Sequence, residues 1–267
     1  MRLYPHRPMP QTFHDLTETP GGQGSPEQLQ RMFTRYRFAA GFCAGKDVVE
    51  IACGAGQGLG LLARSARTVR GGDYTESLVR LARAHYGDRL PLYRLDAHRL
   101  PFRAGSFDVV ILYEALYYMQ NPGEVFREFR RVLRPGGVVL LSLPNRSLPD
   151  FHPSPLSVGY YTPPELADRM EPAGFRVEFY GDTPVRYNSL RGRAVALLKT
   201  AIVRLNLMPR TLRGREILKR LVYGALVPIP AELAGNEHPY RPPVPIPADR
   251  PDETYRVLFA VGRAGAP

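Results

Sequence analysis

The sequence predicts an α/β protein built on a mostly parallel sheet with helices on both faces, and three observations carry that expectation. Short apolar runs bounded by turn residues alternate along the chain with amphipathic helical runs. The first strong apolar run, VVEIA at 48–52, leads into Gly54, Gly56, Gly58 and Gly60 and then into GLLARSA, a strand, glycine turn and helix unit. The chain has 267 residues, 44% of them hydrophobic, and only 2 Cys, which allows one large core and excludes a disulfide-stapled framework.

Each element follows from local chemistry. Ser25 can cap a helix that opens with Pro26 and runs through LQRMFTRYRFAAGFC until Gly45 stops it. TVRGGDY is a second strand ending at Asp73, ESLVRLARAHY a helix, LPLYRLD a third strand and FDVVILYEAL a fourth. EVFREFRRVL is an amphipathic helix that Pro135, Gly136 and Gly137 are expected to end, and VVLLSLPN is a fifth strand bounded by Pro144. Thr162 or Pro163 begins a helix through ELADRMEPA, FRVEFYG is a sixth strand, and YRVLFAVGR at 255–263 is a seventh.

The formal net charge is +11, and most of the excess lies between the last two strands. Residues 185–230 hold ten basic side chains, from Arg186 to Arg220, against the single acid Glu216. RAVALLKTAIVRLNLM and GREILKRLVYGALV look helical there, and the later PPVPIP is extended. Such a stretch can lie on an anionic membrane, close over a small acceptor or meet a nucleic acid backbone. Poor aromatic interleaving disfavours nucleic acid, so a small-molecule or lipid-like substrate is the better reading. No segment approaches the apolar run that spans a bilayer, and the N-terminus lacks a signal-peptide pattern. The expected location is a reducing cytoplasm, with peripheral membrane contact open through the basic stretch.

Glycines directly after a first strand let a ligand approach the backbone, and the following helix presents free N–H groups. A dinucleotide fingerprint would need glycine at position 59, which is Leu59, and no GxxxxGK(S/T) element is present. Asp73, 19 residues after Gly54, stands where a carboxylate accepts hydrogen bonds from ribose hydroxyls, and Asp96 beside Ala97 stands where adenine would be read. Spacing alone does not separate NAD from another adenosine-containing cofactor.

VVEIACGAGQG at 48–58, GGDY at 71–74, LDAHRLPF at 95–102, SFDVVILYEALYYM at 106–119 and RVLRPGG at 131–137, in that order, resemble the class I S-adenosylmethionine-dependent methyltransferases. The resemblance implies a Rossmann-like class I methyltransferase fold: seven strands, mostly parallel, with an antiparallel last strand, here with a helical insert before it. With the composition read above, the chain divides into an irregular segment at 1–24, a cofactor-binding core at 25–184, a basic, partly helical lid or insert at 185–254 and the last strand with the C-terminus at 255–267, and the resemblance covers about 30–184 and the last strand. It implies S-adenosyl-L-methionine as cofactor, with Glu50 at the methionine end, Gly54 and Gly56 giving it passage, Asp73 on the ribose, and Asp96 with Ala97 on the adenine. Tyr36, beside Arg35, and Ala52, Tyr74 and Tyr113 complete the expected cofactor contacts.

The implied chemistry is displacement of the sulfonium methyl by an O, N or C nucleophile of a small, hydrophobic or anionic metabolite, without a metal. Glu114, Tyr117 and Tyr118 after the fourth strand, and His98 after the adenine aspartate, are the candidates for orienting the acceptor or taking its proton, and each also reads as a packing or loop residue. Asn145, His152 and His14 are further rim candidates. The rival readings are an enzyme of the same fold that uses S-adenosylmethionine for another reaction, such as intramolecular cyclisation, an NAD-dependent oxidoreductase, and a non-catalytic binding protein.

Overall fold

The computed structural model describes residue 13 and residues 17–154, 156–185, 225–236 and 238–265. The ten basic residues of 186–220, nearly all of both helical runs around them, and His14 lie outside the described residues.

After a two-residue strand β1 (Gln23–Gly24), helix α1 (Pro26–Cys43) opens with a capping box: the Ser25 hydroxyl accepts from the Gln28 amide at 3.1 Å, and the Gln28 side chain accepts from the Ser25 amide at 3.4 Å. β2 (Asp47–Ile51), the short α2 (Leu59–Ala63), β3 (Thr68–Asp73), α3 (Glu76–Tyr86) and β4 (Leu92–Arg94) form the first half of the sheet. β5 (Phe107–Tyr113), α4 (Pro122–Val132), β6 (Leu133–Pro144), α5 (Pro163–Met170) and β7 (Phe175–Pro184) form the second. β8 (Val227–Pro228) pairs with β1, and β9 (Val244–Ile246) and β10 (Tyr255–Ala264) complete the chain.

The main sheet runs β4-β3-β2-β5-β6-β10-β7-β9, with β4, β3, β2, β5 and β6 parallel. β10 is antiparallel to β6 and to β7, as the seventh strand was expected to be. An eighth, β9, adds to the edge at β7: the PPVPIP stretch is extended as expected, and it pairs because Val244 and Ile246 meet Gly181 and Phe179. The architecture is therefore α/β and Rossmann-like.

Alternating residues of the inner strands feed two cores. Val109, Ile111, Leu140 and Phe259 pack with Met32, Leu59 and Val79 on one face, and Val110, Leu112, Leu141 and Leu258 with Phe126, Phe129 and Met170 on the other. The period of two along each strand, with both faces covered, is why these strands read as unbroken apolar runs. Among the described residues no helix is long and apolar enough to cross a membrane, and both cysteines are buried free thiols.

One expected boundary is corrected. α4 ends at Val132, and Pro135, Gly136 and Gly137 lie inside β6 rather than at the helix terminus. The strand starts early because Leu133 pairs with Phe107, after which a register shift brings Val138 opposite Val109 and Gly136 turns through φ +75°. Arg134, in the middle of that shift, reaches Asp47 and Asp108 at 2.9 Å each.

Asp47 is the hub of this cluster at the N-terminal ends of the strands. It accepts from Arg67 Nε, Thr68 Oγ1 and Arg134 at 2.9 Å, and the Arg67 hydrogen bond, followed by those of Thr68 and Arg134, holds its carboxyl well below the usual range. A depressed carboxylate pKa contributes stability that is present above its unfolded value of about 4 and lost as pH falls below it. Asp47→Asn is expected to lower stability at pH 7 by about 2 kcal/mol, and urea melts across pH should show the difference from wild type shrinking below about pH 4.

Candidate active site

A cavity of about 550 Å³ opens at the C-terminal ends of β2, β3, β5 and β6. It spans the point where strand order reverses between β2 and β5, the position at which open α/β sheets bind ligands. Three consecutive features of the loop after β2 make room for it. Ala52 and Gly54 take positive φ, +56° and +58°, and the Gly54 amide donates to Asp73 Oδ2 at 2.9 Å. Asp73 Oδ1 accepts from the Thr75 amide at 2.8 Å, so one carboxylate ties the glycine loop to the end of β3. Burial raises the Asp73 pKa, and the amides of Thr75 and Gly54 oppose that rise.

Gly56 also takes a positive φ, +84°, but it faces the core: a Cβ there would stand 3.0 Å from the Tyr86 ring, and its carbonyl accepts from the Tyr86 hydroxyl at 2.7 Å. It does not line the cavity, so the expectation that it gives a cofactor passage is corrected. Gly58 has the closer approach. A Cβ on it would fall about 2 Å from ring atoms of Tyr36, so only glycine lets that ring lie against the loop.

Tyr36 donates from its hydroxyl to Glu50 Oε1 at 2.7 Å and meets Tyr113 edge-on with centroids 5.9 Å apart. The other Glu50 oxygen is buried without a hydrogen-bond partner among the described residues, as are Arg35 Nε and the Tyr113 hydroxyl. Burial pushes the Glu50 carboxyl up to about 7, against the opposing effects of the Tyr36 hydrogen bond and the Arg35 charge. Arg35 nitrogens stand 3.5 Å from Glu18 and 3.6 Å from Glu114.

Tyr74, Asp96 and Ala97 line the cavity beyond Asp73. His98 does not: its ring turns back on Asp96, with Nδ1 2.7 Å from Oδ1, while its amide donates to the same oxygen at 2.9 Å. His98 thus stands beside the lining residue Asp96 and is not itself part of the cavity lining. Glu114, Tyr117 and Tyr118 do come together on the wall after β5. Glu114 has φ +52°, and its carboxylate accepts from Ser142 Oγ at 3.0 Å and from the Tyr117 hydroxyl at 3.2 Å. Tyr118 shares a hydrogen bond with Ser154 at 2.8 Å. Burial raises the pKa of both phenols, so they are hydrogen-bond donors rather than bases at neutral pH.

His152 and Asn145 both line the cavity, and the Asn145 amide donates to the carbonyls of Asp252 and Tyr255 at 2.9 and 2.8 Å. Phe13, Glu18 and Gln57 line the cavity without any sequence pattern that marks them. Phe13 is placed by its amide, which donates to Thr75 Oγ1 at 3.1 Å, and by its ring, 5.1 Å from that of Tyr118.

The raised Glu50 pKa has a sign that can be tested. Between its ordinary value of 4.5 and about 7 the folded chain holds a proton that the unfolded chain has released, so stability falls as pH rises through that window. Glu50→Gln is expected to flatten the slope, with urea midpoints recorded across the same pH range; an unchanged slope would contradict the assignment.

Residues 49–141 match the family described as a methyltransferase domain. A "Probable S-adenosylmethionine-dependent methyltransferase" of Mycolicibacterium smegmatis is 38% identical over 152 residues, 54% of this chain and 57% of the relative. The ubiquinone biosynthesis O-methyltransferase of Caulobacter sp. is 30% identical over 166 residues, 56% of this chain and 66% of the relative. The chain spans about half the length of the first curated relatives it matches. The YcgJ protein from Bacillus subtilis superposes with a TM-score of 0.56 at 15% identity, covering 89% of this chain and 100% of that one. This chain thus carries the Rossmann-like fold of the class I methyltransferases, with a methyltransferase domain matched over residues 49–141.

Proposed function

We propose that the protein transfers a methyl group from S-adenosyl-L-methionine to an O, N or C nucleophile of a small metabolite. The observation that carries this reading is a set of buried polar atoms near the glycine loop that have no hydrogen-bond partner among the described residues: Glu50 Oε2, Arg35 Nε and the Tyr113 hydroxyl. A buried acceptor and buried donors without partners are destabilising on their own, and a ligand with both an amino and a carboxylate group satisfies them. S-adenosylmethionine has such an end, and the relatives named above support the same cofactor.

In this reading Glu50 and Arg35 hold the amino-acid end. Asp73, held at the cavity wall by its bonds to Gly54 and Thr75, is the acceptor placed to meet paired ribose hydroxyls. Asp96 and Ala97 face the adenine. When bound, the cofactor supplies an electrophilic methyl, whose bond to sulfur breaks with the electron pair staying on sulfur as the bond to the acceptor forms. Glu114 receives the acceptor's proton where the nucleophile carries one, and the protonated Tyr117 holds that carboxylate in place. The protein's larger contribution is alignment of the two reactants within one walled cavity.

Calorimetry with S-adenosylmethionine, S-adenosylhomocysteine and NAD tests the reading. Micromolar binding of the first two, weakened about tenfold or more by Asp73→Ala, is the expected result, followed by acceptor products heavier by one methyl group. Binding of NAD alone, or of none of the three, overturns it.

A further inference from the structure

The loop after β4 carries Asp96 into the cavity wall, and its backbone is fixed from both sides. The Leu95 amide donates to the Asp73 carbonyl at 3.0 Å, and the Leu100 amide donates to Glu128 on α4 at 2.8 Å. Arg131, also on α4, donates to the carbonyls of Phe102 and Leu100 at 2.7 and 3.0 Å. Within the turn, the Arg99 amide closes on the Asp96 carbonyl at 3.1 Å. None of these bonds involves the His98 ring.

The Asp96 carboxylate is held differently. Its side chain is 47% exposed, and the last torsion of an aspartate is broad and two-fold, so an unsupported carboxylate there samples several orientations. The His98 amide donates to Oδ1 at 2.9 Å, an Asx turn that any residue other than proline makes at this position. The His98 ring brings a second donor, Nδ1, to the same oxygen at 2.7 Å. A carboxylate oxygen only accepts, so that ring nitrogen carries the proton. Two donors from two directions fix the carboxylate plane, and a fixed plane sets the direction of Oδ2 as well. Because the ring stands outside the cavity lining, it acts on a bound ligand through Asp96.

A carboxylate fixed in this way accepts from an N–H group and repels a carbonyl oxygen. Adenine presents an amino group where its deaminated counterpart, hypoxanthine, presents a carbonyl. We infer that His98 is the positioning residue for base selectivity: its ring holds Asp96 so that the site takes a 6-aminopurine ligand and rejects the 6-oxopurine one. This rests on the methyl-transfer reading above, and it gives His98 a part in binding rather than in proton transfer from the acceptor.

Calorimetry of the full chain with S-adenosylhomocysteine and S-inosylhomocysteine, which differ at that one ring position, reads the selectivity. The wild-type chain is expected to prefer the adenosyl ligand by about tenfold or more. His98→Leu keeps bulk and removes the ring donor; it is expected to lower that preference about fivefold by weakening the adenosyl ligand alone. His98→Asn, whose side-chain amide offers an N–H close to the place of Nδ1, is expected to restore most of the preference. Added to Asp96→Ala, His98→Leu is expected to cost nothing further, because the coupling runs through the carboxylate. Equal binding of the two ligands by the wild-type chain, an equal loss of both in His98→Leu, no rescue by His98→Asn, or additive losses with Asp96→Ala overturns the inference. Failure of the wild-type chain to bind S-adenosylhomocysteine falls instead on the methyltransferase reading.

Discussion

Two backbone amides converge on the carboxylate of Asp73, and the shape of the cleft depends on that convergence. The Gly54 amide comes from the loop after β2 and the Thr75 amide from the start of α3, so one side chain fixes the turn that leaves the sheet and the helix that follows the next strand. Burying a carboxylate is unfavourable unless its lone pairs are met, and here the backbone meets two of them. Thr75 extends the arrangement outward, since its hydroxyl accepts from the Phe13 amide and so holds a roofing residue over the pocket.

The two ends of the sheet use charge in opposite ways. At the N-terminal ends of the strands, Asp47 and Asp108 are matched by Arg67 and Arg134, a closed cluster that pins the early start of β6. At the C-terminal ends, one oxygen of Glu50, one nitrogen of Arg35 and the Tyr113 hydroxyl are buried without a hydrogen-bond partner among the described residues. The same sheet therefore supports a stabilising ion cluster on one side and, on the other, buried polar atoms that have no hydrogen-bond partner among the described residues. Positive φ at Ala52 and Glu114, at the ends of adjacent strands β2 and β5, marks the same boundary, because left-handed backbone at non-glycine residues persists only where the surroundings impose it.

Much of this was legible in the residue order. Strands that are buried on both faces announce themselves as apolar runs, and Ser25, Thr162 and the glycines mark their turns and caps, so the alternating elements were readable one by one. Asp73 and Asp96 stand out in the sequence because one ends a strand and the other follows one after the glycine loop, whereas Glu50, inside β2, stands out only through the family resemblance. Gly56 and His98 were misplaced for a common reason: one-dimensional spacing puts a residue at the cleft but does not say which way it turns, and Tyr86 draws the first inward while Asp96 draws the second aside. Pro135–Gly137 looked like a helix stop because Pro and Gly are poor in helix interiors, whereas pairing of Leu133 with Phe107 had already begun the strand.

What the sequence determined by itself is the set of local alternatives: which segments are strands, which are helices, where the chain must turn, and which carboxylates follow strand ends. Those properties follow from periodicity and backbone sterics within a few residues. Only the tertiary structure decided that Phe13, Glu18, Tyr117, Tyr118 and Asp150 share one cavity, and that the His98 ring turns onto Asp96 instead of joining that lining. A cavity lining is assembled from residues far apart in the chain, and folding alone brings them within contact distance of one ligand.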